Sequence, residues 1–235
     1  MSAWAPKRFW QQAEATAIDG GFTVLLDGRA VKTPAKTPFW VPTFMLATEV
    51  AAEWQAQDGK VKPETMPFTR TANSALDKVR PQFEAVAEML AAYGGSDLLC
   101  YRAQAPQELV ARQQAAWDPL LAWANETFNV ELITTQGVMP VEQPVACREA
   151  LCQEVRKLTP FQLAAFHDLV AISGSLILAL AMTRGRISAE DGFDLSRVDE
   201  TWQIELWGAD EDAAESEAIK RDSVRHAARF FALCG

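Results

Sequence analysis

FDLSRVDETWQIELWGAD, residues 193–210, carries more apolar surface than one buried helix face can use. At about 100° per helical residue, Leu195, Val198, Trp202 and Leu206 fall on one face, and Phe193, Ile204 and Trp207 gather on nearly the opposite one. Asp199 and Glu200 lie beside or on that second face, and Glu205 borders the first. A helix apolar on two sides either packs between two layers of its own domain or has one layer missing, and a missing layer is a partner. Burying an indole is worth about 2 to 3 kcal/mol, so a chain that held Trp207 in water would do so for binding. The sequence leaves both arrangements open.

Outward from this stretch the pattern stays helical. Phe161 to Thr183 is the most apolar segment and lacks a polar stripe, which predicts one central helix, with Gly174 admitting a close neighbour. Gly185 ends it, and Ser188 with Asp191 three residues later resembles a capping box for the next helix. Glu211 to Leu233 carries acids early and Lys220, Arg221, Arg225 and Arg229 late, the order a helix dipole favours. Upstream, Pro106 opens a long helix past Trp117, Pro119 and Trp123. Pro144 to Leu158 gives another, and Val130 to Thr135 a brief strand.

The first third reads differently. Asp19-Gly20-Gly21 marks a tight turn, Phe22 to Leu26 a strand, and Asp27-Gly28 a hairpin turn into Arg29 to Lys32. Thr43 caps a helix to Gln57, and a further helix runs from Phe68 to Val79. The expected fold class is α+β. A small N-terminal β-containing two-layer domain occupies residues 1–80, and a larger all-helical domain occupies 81–235.

The chain has 235 residues, 49% of them hydrophobic, which is ample for a core. Its 31 acidic and 22 basic residues leave a net charge of −9, which opposes general affinity for nucleic acid or an anionic membrane. The start, MSAWAPKRFWQQ, shows neither a secretory signal nor a basic amphipathic presequence. Leu169 to Met182 is shorter than the ~20 apolar residues a bilayer span needs. Cys100, Cys147, Cys152 and Cys234 lack zinc-site spacing and read as buried thiols.

Motifs for chemistry are absent. There is no Gly-x-Ser-x-Gly elbow, no Gly-rich phosphate loop and no calcium loop. Ser175, His167 and Asp168 could be assembled into a triad on paper, but adjacent helical residues diverge by about 100°, so Asp168 is not expected to orient His167. No catalytic residue, metal or cofactor is expected. What stands out is eight tryptophans against two tyrosines. Trp117 and Trp123 read as core anchors, and Trp207, beside Gly208 and the run Asp210-Glu211-Asp212, as part of an interaction patch. Arg70 is expected to pair with a carboxylate at a domain junction, or merely to cap a helix.

Six segments carry a resemblance: GGFTVLLDGRAVKTPAKTP (20–38), MPFTRTANSALD (66–77), SDLLCYRA (96–103), WDPLLAWA (117–124), GSLILALA (174–181) and VDETWQIELWG (198–208). In order and across nearly the whole chain, they resemble the ATP synthase F1 alpha-subunit assembly chaperones of the Atp-twelve type.

The resemblance implies a non-enzymatic factor that binds the unassembled alpha subunit, prevents its aggregation and releases it when beta subunits join. It places partner-binding residues at Asp199, Glu200, Gln203 and Trp207 and a family tryptophan, read as structural, at Trp54; beside it, the residue reading adds Glu205 to the partner-binding set and gives Arg70 and Trp202 structural roles. The double substitution Asp199→Lys with Glu200→Lys is expected to weaken alpha binding with the fold intact. The protein is expected to be monomeric when free, not inserted in a membrane and free of nucleic acid. Its expected location is the bacterial cytoplasm, or the mitochondrial matrix for a processed eukaryotic member. Two rivals remain. One is a small-molecule enzyme whose anion-binding site at the domain junction uses Arg70, with Asp77 or Glu200 as base; the other is a permanent structural subunit.

Overall fold

Two glycine turns fold residues 13–30 into a three-stranded antiparallel meander in the order β1 (Ala13–Ile18), β2 (Gly21–Leu26) and β3 (Arg29–Ala30). The computed structural model describes residues 7–137, 139–208 and 210–235. Residues 1–6, part of the start read above for its lack of a presequence, lie outside the described residues. Ala15 pairs with Val24 and Leu25 with Ala30. Asp27 and Gly28 both have positive φ, 47° and 80°, as a two-residue hairpin turn of this twist demands. The Asp27 carboxylate accepts the backbone N–H groups of Gln11 and Gln12, at 3.0 and 2.9 Å, which hold its pKa below the ordinary value.

Val24 and Leu26 turn inward against α1 (Phe44–Gln55), whose Leu46, Ala47 and Val50 are buried. Thr43 caps α1 as expected, its Oγ1 accepting the Leu46 N–H at 3.2 Å. The next helix, α2 (Pro67–Ser74), has no capping side chain of its own, because Met66 stands at that position. Glu53 of α1 replaces it. Its carboxylate accepts from the Phe68 and Thr69 N–H groups, both at 2.7 Å, and from the Thr69 hydroxyl at 2.6 Å. The helix predicted from Phe68 to Val79 is α2 followed by one wider π turn over Ala75–Val79.

The chain divides into two compact units. The first takes residues 1–83 together with 159–165 and 229–235, and the second takes 84–158 and 166–228. Within the first unit, the distant segments complete the core. Phe161 meets the Trp40 ring edge-on at 4.9 Å, Phe230 stacks on Phe68 at 6.2 Å, and the Thr43 hydroxyl donates to the Leu233 carbonyl.

The remaining helices are α3 (Phe83–Ala91), α4 (Gln107–Phe128), α5 (Val145–Arg156), α6 (Pro160–Ser173), α7 (Leu176–Thr183), α8 (Ala189–Ser196), α9 (Val198–Trp207) and α10 (Glu211–Leu233). The single helix expected over Phe161 to Thr183 is two. Gly174 adopts φ +70° and ends α6, and Ser175 caps α7 by accepting the Leu178 N–H at 3.0 Å. A Cβ at Gly174 would come no closer than 4.0 Å to Leu98 Cβ, so the glycine serves the turn and not a close approach. Beneath the turn, buried Asp97 accepts from the Ser175 hydroxyl at 2.7 Å and from the Ile177 and Leu99 N–H groups at 3.0 Å. Burial raises its pKa, and these hydrogen bonds oppose the rise.

The brief strand expected at Val130 to Thr135 reduces to β5 (Thr135–Gln136), which pairs in parallel with β4 (Tyr101–Arg102). Gln143 takes the place of a neighbouring strand: its amide accepts from Ile133 N and donates to Ile133 O, each at 2.8 Å. No helix among the described residues is long and apolar enough to cross a membrane.

Candidate partner-binding site

The helix read across 193–210 breaks at Arg197, whose φ of −112° and ψ of 17° are not helical. The two-faced pattern computed across the break therefore needs correction. Phe193 belongs to α8 and is buried there, while the Ser188–Asp191 capping box starts α8 as expected. What remains on α9 is a helix with one buried residue, Val198. Ile204, Leu206 and Trp207 are 36%, 55% and 78% exposed, so the ring of Trp207 stands in water. Gly208, at φ +87°, stops the helix immediately after it.

Two neighbours on α4 hold α9 from one side. Gln113 donates to Asp199 Oδ1 at 2.6 Å and accepts the Ala103 N–H at 2.8 Å, so its amide is used at both ends. Arg112 grips Glu205 with two parallel bonds of 2.8 Å, and its guanidinium lies 5.1 Å from the Trp202 ring centre. The hydrogen bond to Arg112 lowers the pKa of Glu205, and the same bond raises that of Arg112. Sequence reading missed Arg112 and Gln113, because an Arg-Gln pair on an amphipathic helix carries no sign of a partner about 90 residues downstream.

Between α9 and the start of α10 lies a cleft of about 750 Å³. Val198, Thr201, Ile204, Ala213, Ala214 and Ala218 give it a small-residue, mostly apolar lining. Arg112, Asp194, Asp210, Glu217 and Arg221 complete the lining, and ion pairs tie several of these to their surroundings. Arg197 reaches Glu200 and Glu217, each at 3.2 Å, and Arg221 reaches Asp194 at 2.7 Å and Glu190 at 3.1 Å. An apolar slot flanked by tethered charges can admit an apolar segment of a partner.

The residues singled out from sequence fall in different settings. Glu200 is exposed and paired with Arg197, Gln203 is exposed with no side-chain hydrogen bond among the described residues, and Trp207 projects from the helix end. Asp199 and Glu205 are engaged by α4. Trp202 is half-buried beneath Arg112. Trp54, on α1, packs edge-on against Trp10 at 5.3 Å, and its buried Nε1–H has no partner among the described residues. Arg70 is exposed on α2 and pairs with no carboxylate among the described residues, so the ion pair expected of it is absent there.

The residues considered for chemistry are otherwise occupied. Ser175 serves Asp97, away from His167. His167 Nδ1 does lie 3.0 Å from Asp168 Oδ1, contrary to the expectation from helix geometry, both side chains being half-exposed and so not held apart by core packing. That hydrogen bond raises the His167 pKa. All four cysteines are free thiols, and burial pushes Cys100 and Cys234 up to about 12. No group of three or more metal-ligating side chains occurs among the described residues.

Comparison with known proteins identifies the family. A family model described as ATP12 chaperone protein matches residues 7–125. The mitochondrial protein atp12 of Schizosaccharomyces pombe is 26% identical over 221 residues, covering 89% of this chain and 76% of that protein. The crystal structure of Atp12 from Paracoccus denitrificans superposes with a TM-score of 0.94 at 48% identity, covering 97% of this chain and 98% of that one. A protein of Agrobacterium tumefaciens gives the same TM-score at 40% identity, covering 98% and 87% of the two chains. With the family model over residues 7–125 and the near-complete superposition on Atp12 in agreement, the chain belongs to the ATP12 chaperone family.

Proposed function

We propose that the protein is an assembly chaperone of the F1 sector of ATP synthase, which binds the unassembled alpha subunit through α9 and the cleft beside it. The observation that carries this reading is Trp207. A ring 78% exposed at the end of a helix braced from one side only is an anchor for a partner. Glu200 and Gln203 stand on the same helix as polar neighbours that select the partner's orientation. The bacterial sources of the solved relatives support a cytoplasmic location.

The mechanism is passive and needs no catalysis. An orphan subunit exposes an assembly interface, large and apolar, whose default fate is self-association. The chaperone covers part of that surface by mass action and binds more weakly than beta, so that beta displaces it.

Co-expression tests this. Alpha alone is expected to aggregate, alpha with the chaperone to stay soluble and elute with it, and added beta to release the chaperone. Asp199→Lys is an unsuitable probe, because it would set an ammonium against the Gln113 amide and disturb the anchor. Glu200→Lys combined with Trp207→Ala changes exposed side chains only, and is expected to weaken alpha binding at least tenfold with an unchanged melting temperature. Equal binding by the folded double variant would remove α9 from the interface.

A further inference from the structure

The first unit carries a cleft that the α9 site does not use. It is about 670 Å³, and four cations stand around it, Lys32, Lys36, Arg70 and Lys78, against one carboxylate, Asp77. Asp77 is committed to the loop after β3, accepting the Thr33 hydroxyl at 2.7 Å and the Ala35 N–H at 3.1 Å. None of the four cations forms an ion pair among the described residues. In the second unit Arg102, Arg112, Arg156, Arg184, Arg197 and Arg221 all do.

Charge is divided between the units in the same sense. The first has eleven Lys and Arg against eight Asp and Glu, and the second has eleven against twenty-three, so their nets are +3 and −12. A lone surface lysine is ordinary. Four like charges around one cleft repel each other unless an anion joins them.

The kind of anion follows from what the cleft lacks and what it has. Fixed phosphate sites use free backbone N–H groups at a helix start or a glycine nest. Here the first N–H groups of α2 are already taken by Glu53. The cleft wall is instead apolar, with Trp54, Val61 and Met66. An apolar wall beneath a rim of long flexible cations suits carboxylates on a chain that also carries an apolar side chain.

We propose that this cleft binds an acidic peptide segment, with one apolar side chain against Trp54, Val61 and Met66 and its carboxylates at Lys32, Lys36, Arg70 and Lys78. That the segment belongs to the alpha subunit rests on the chaperone reading above; the binding itself does not.

The test is fluorescence anisotropy of the intact protein with a labelled octapeptide of Asp and Glu around a single Phe. The expected result at low salt is saturable binding that weakens with added salt. It should be at least tenfold weaker for the Asn/Gln version of the peptide and for Arg70→Glu with Lys78→Glu, and unchanged in Trp207→Ala. Lys32→Glu with Lys36→Glu is the second variant should the first fail to fold. No saturable binding overturns the inference, as does equal binding by either folded reversal variant. Competition by inorganic phosphate as effective as that of unlabelled peptide also overturns it, in favour of a small-anion site. A protein that binds no peptide yet keeps alpha soluble defeats this inference alone; one that binds peptide but never alpha defeats the functional reading alone.

Discussion

Trp54 and Trp117 differ by one hydrogen bond, and that difference sets what each tolerates. Trp117 is fully buried and donates to the Leu195 carbonyl at 2.8 Å, whereas the Trp54 indole N–H is buried without a partner among the described residues. Trp117→Phe removes ring volume and strands a carbonyl, so a loss of about 3 kcal/mol is expected. Trp54→Phe removes a donor that had nothing to bond, and about 1 kcal/mol or less is expected. Urea unfolding of the two variants checks the order. Neither outcome is legible in sequence, where both residues are indoles on helices; the acceptor for Trp117 lies 78 positions away. Glu205 makes the same point electrostatically. Its pKa is lowered by Arg112, so Arg112→Ala is expected to return it toward its ordinary 4.5, as carboxyl carbon NMR would record. Since the folded pKa is the depressed one, the contribution of this pair fades as pH falls through that value.

Among the elements, α6 and α7 provide a test of sign. Were Gly174 in mid-helix, Gly174→Ala would stabilise by about 1 kcal/mol. At φ +70° it ends α6, and the same change is expected to destabilise by about 1 to 2 kcal/mol, measurable as a lower melting temperature. Glu53 is the other element-scale joint, because one carboxylate on α1 caps α2. Glu53→Gln replaces an acceptor with a donor opposite two N–H groups and a hydroxyl, and about 1 to 3 kcal/mol should be lost. Burial raises the pKa of Glu53 above its ordinary 4.5 despite those bonds. Between 4.5 and the raised value the folded protein keeps a proton that the unfolded chain has released, so stability falls as pH rises through that window. The Gln variant is expected to lack that slope. Sequence periodicity located both helices of the Glu53 joint. It could not separate α6 from α7, because an all-apolar run has the same pattern whether or not a glycine turns positive within it.

For the whole molecule, opposite net charges on the two units make association with a charged client sensitive to salt. If the client is the alpha subunit, as proposed, its on-rate is expected to fall by about tenfold between low and physiological ionic strength, with Glu200→Lys changing the slope, as stopped-flow fluorescence would show. Local patterning alone determined much of the architecture. Asp-Gly turns and alternating apolar residues specify the meander, 3.6-residue periodicity specifies the helices, and Thr43, Ser188 with Asp191, and Gly185 mark their ends, because these signals act within a few residues. The motifs in order specified the family. The candidate site was decided by tertiary structure. Only folding brings Arg112 and Gln113 beneath α9, engages Asp199 and Glu205, leaves Trp207 in water, and gathers four cations around one cleft. Those arrangements depend on contacts between residues tens of positions apart, which no local period in the sequence encodes.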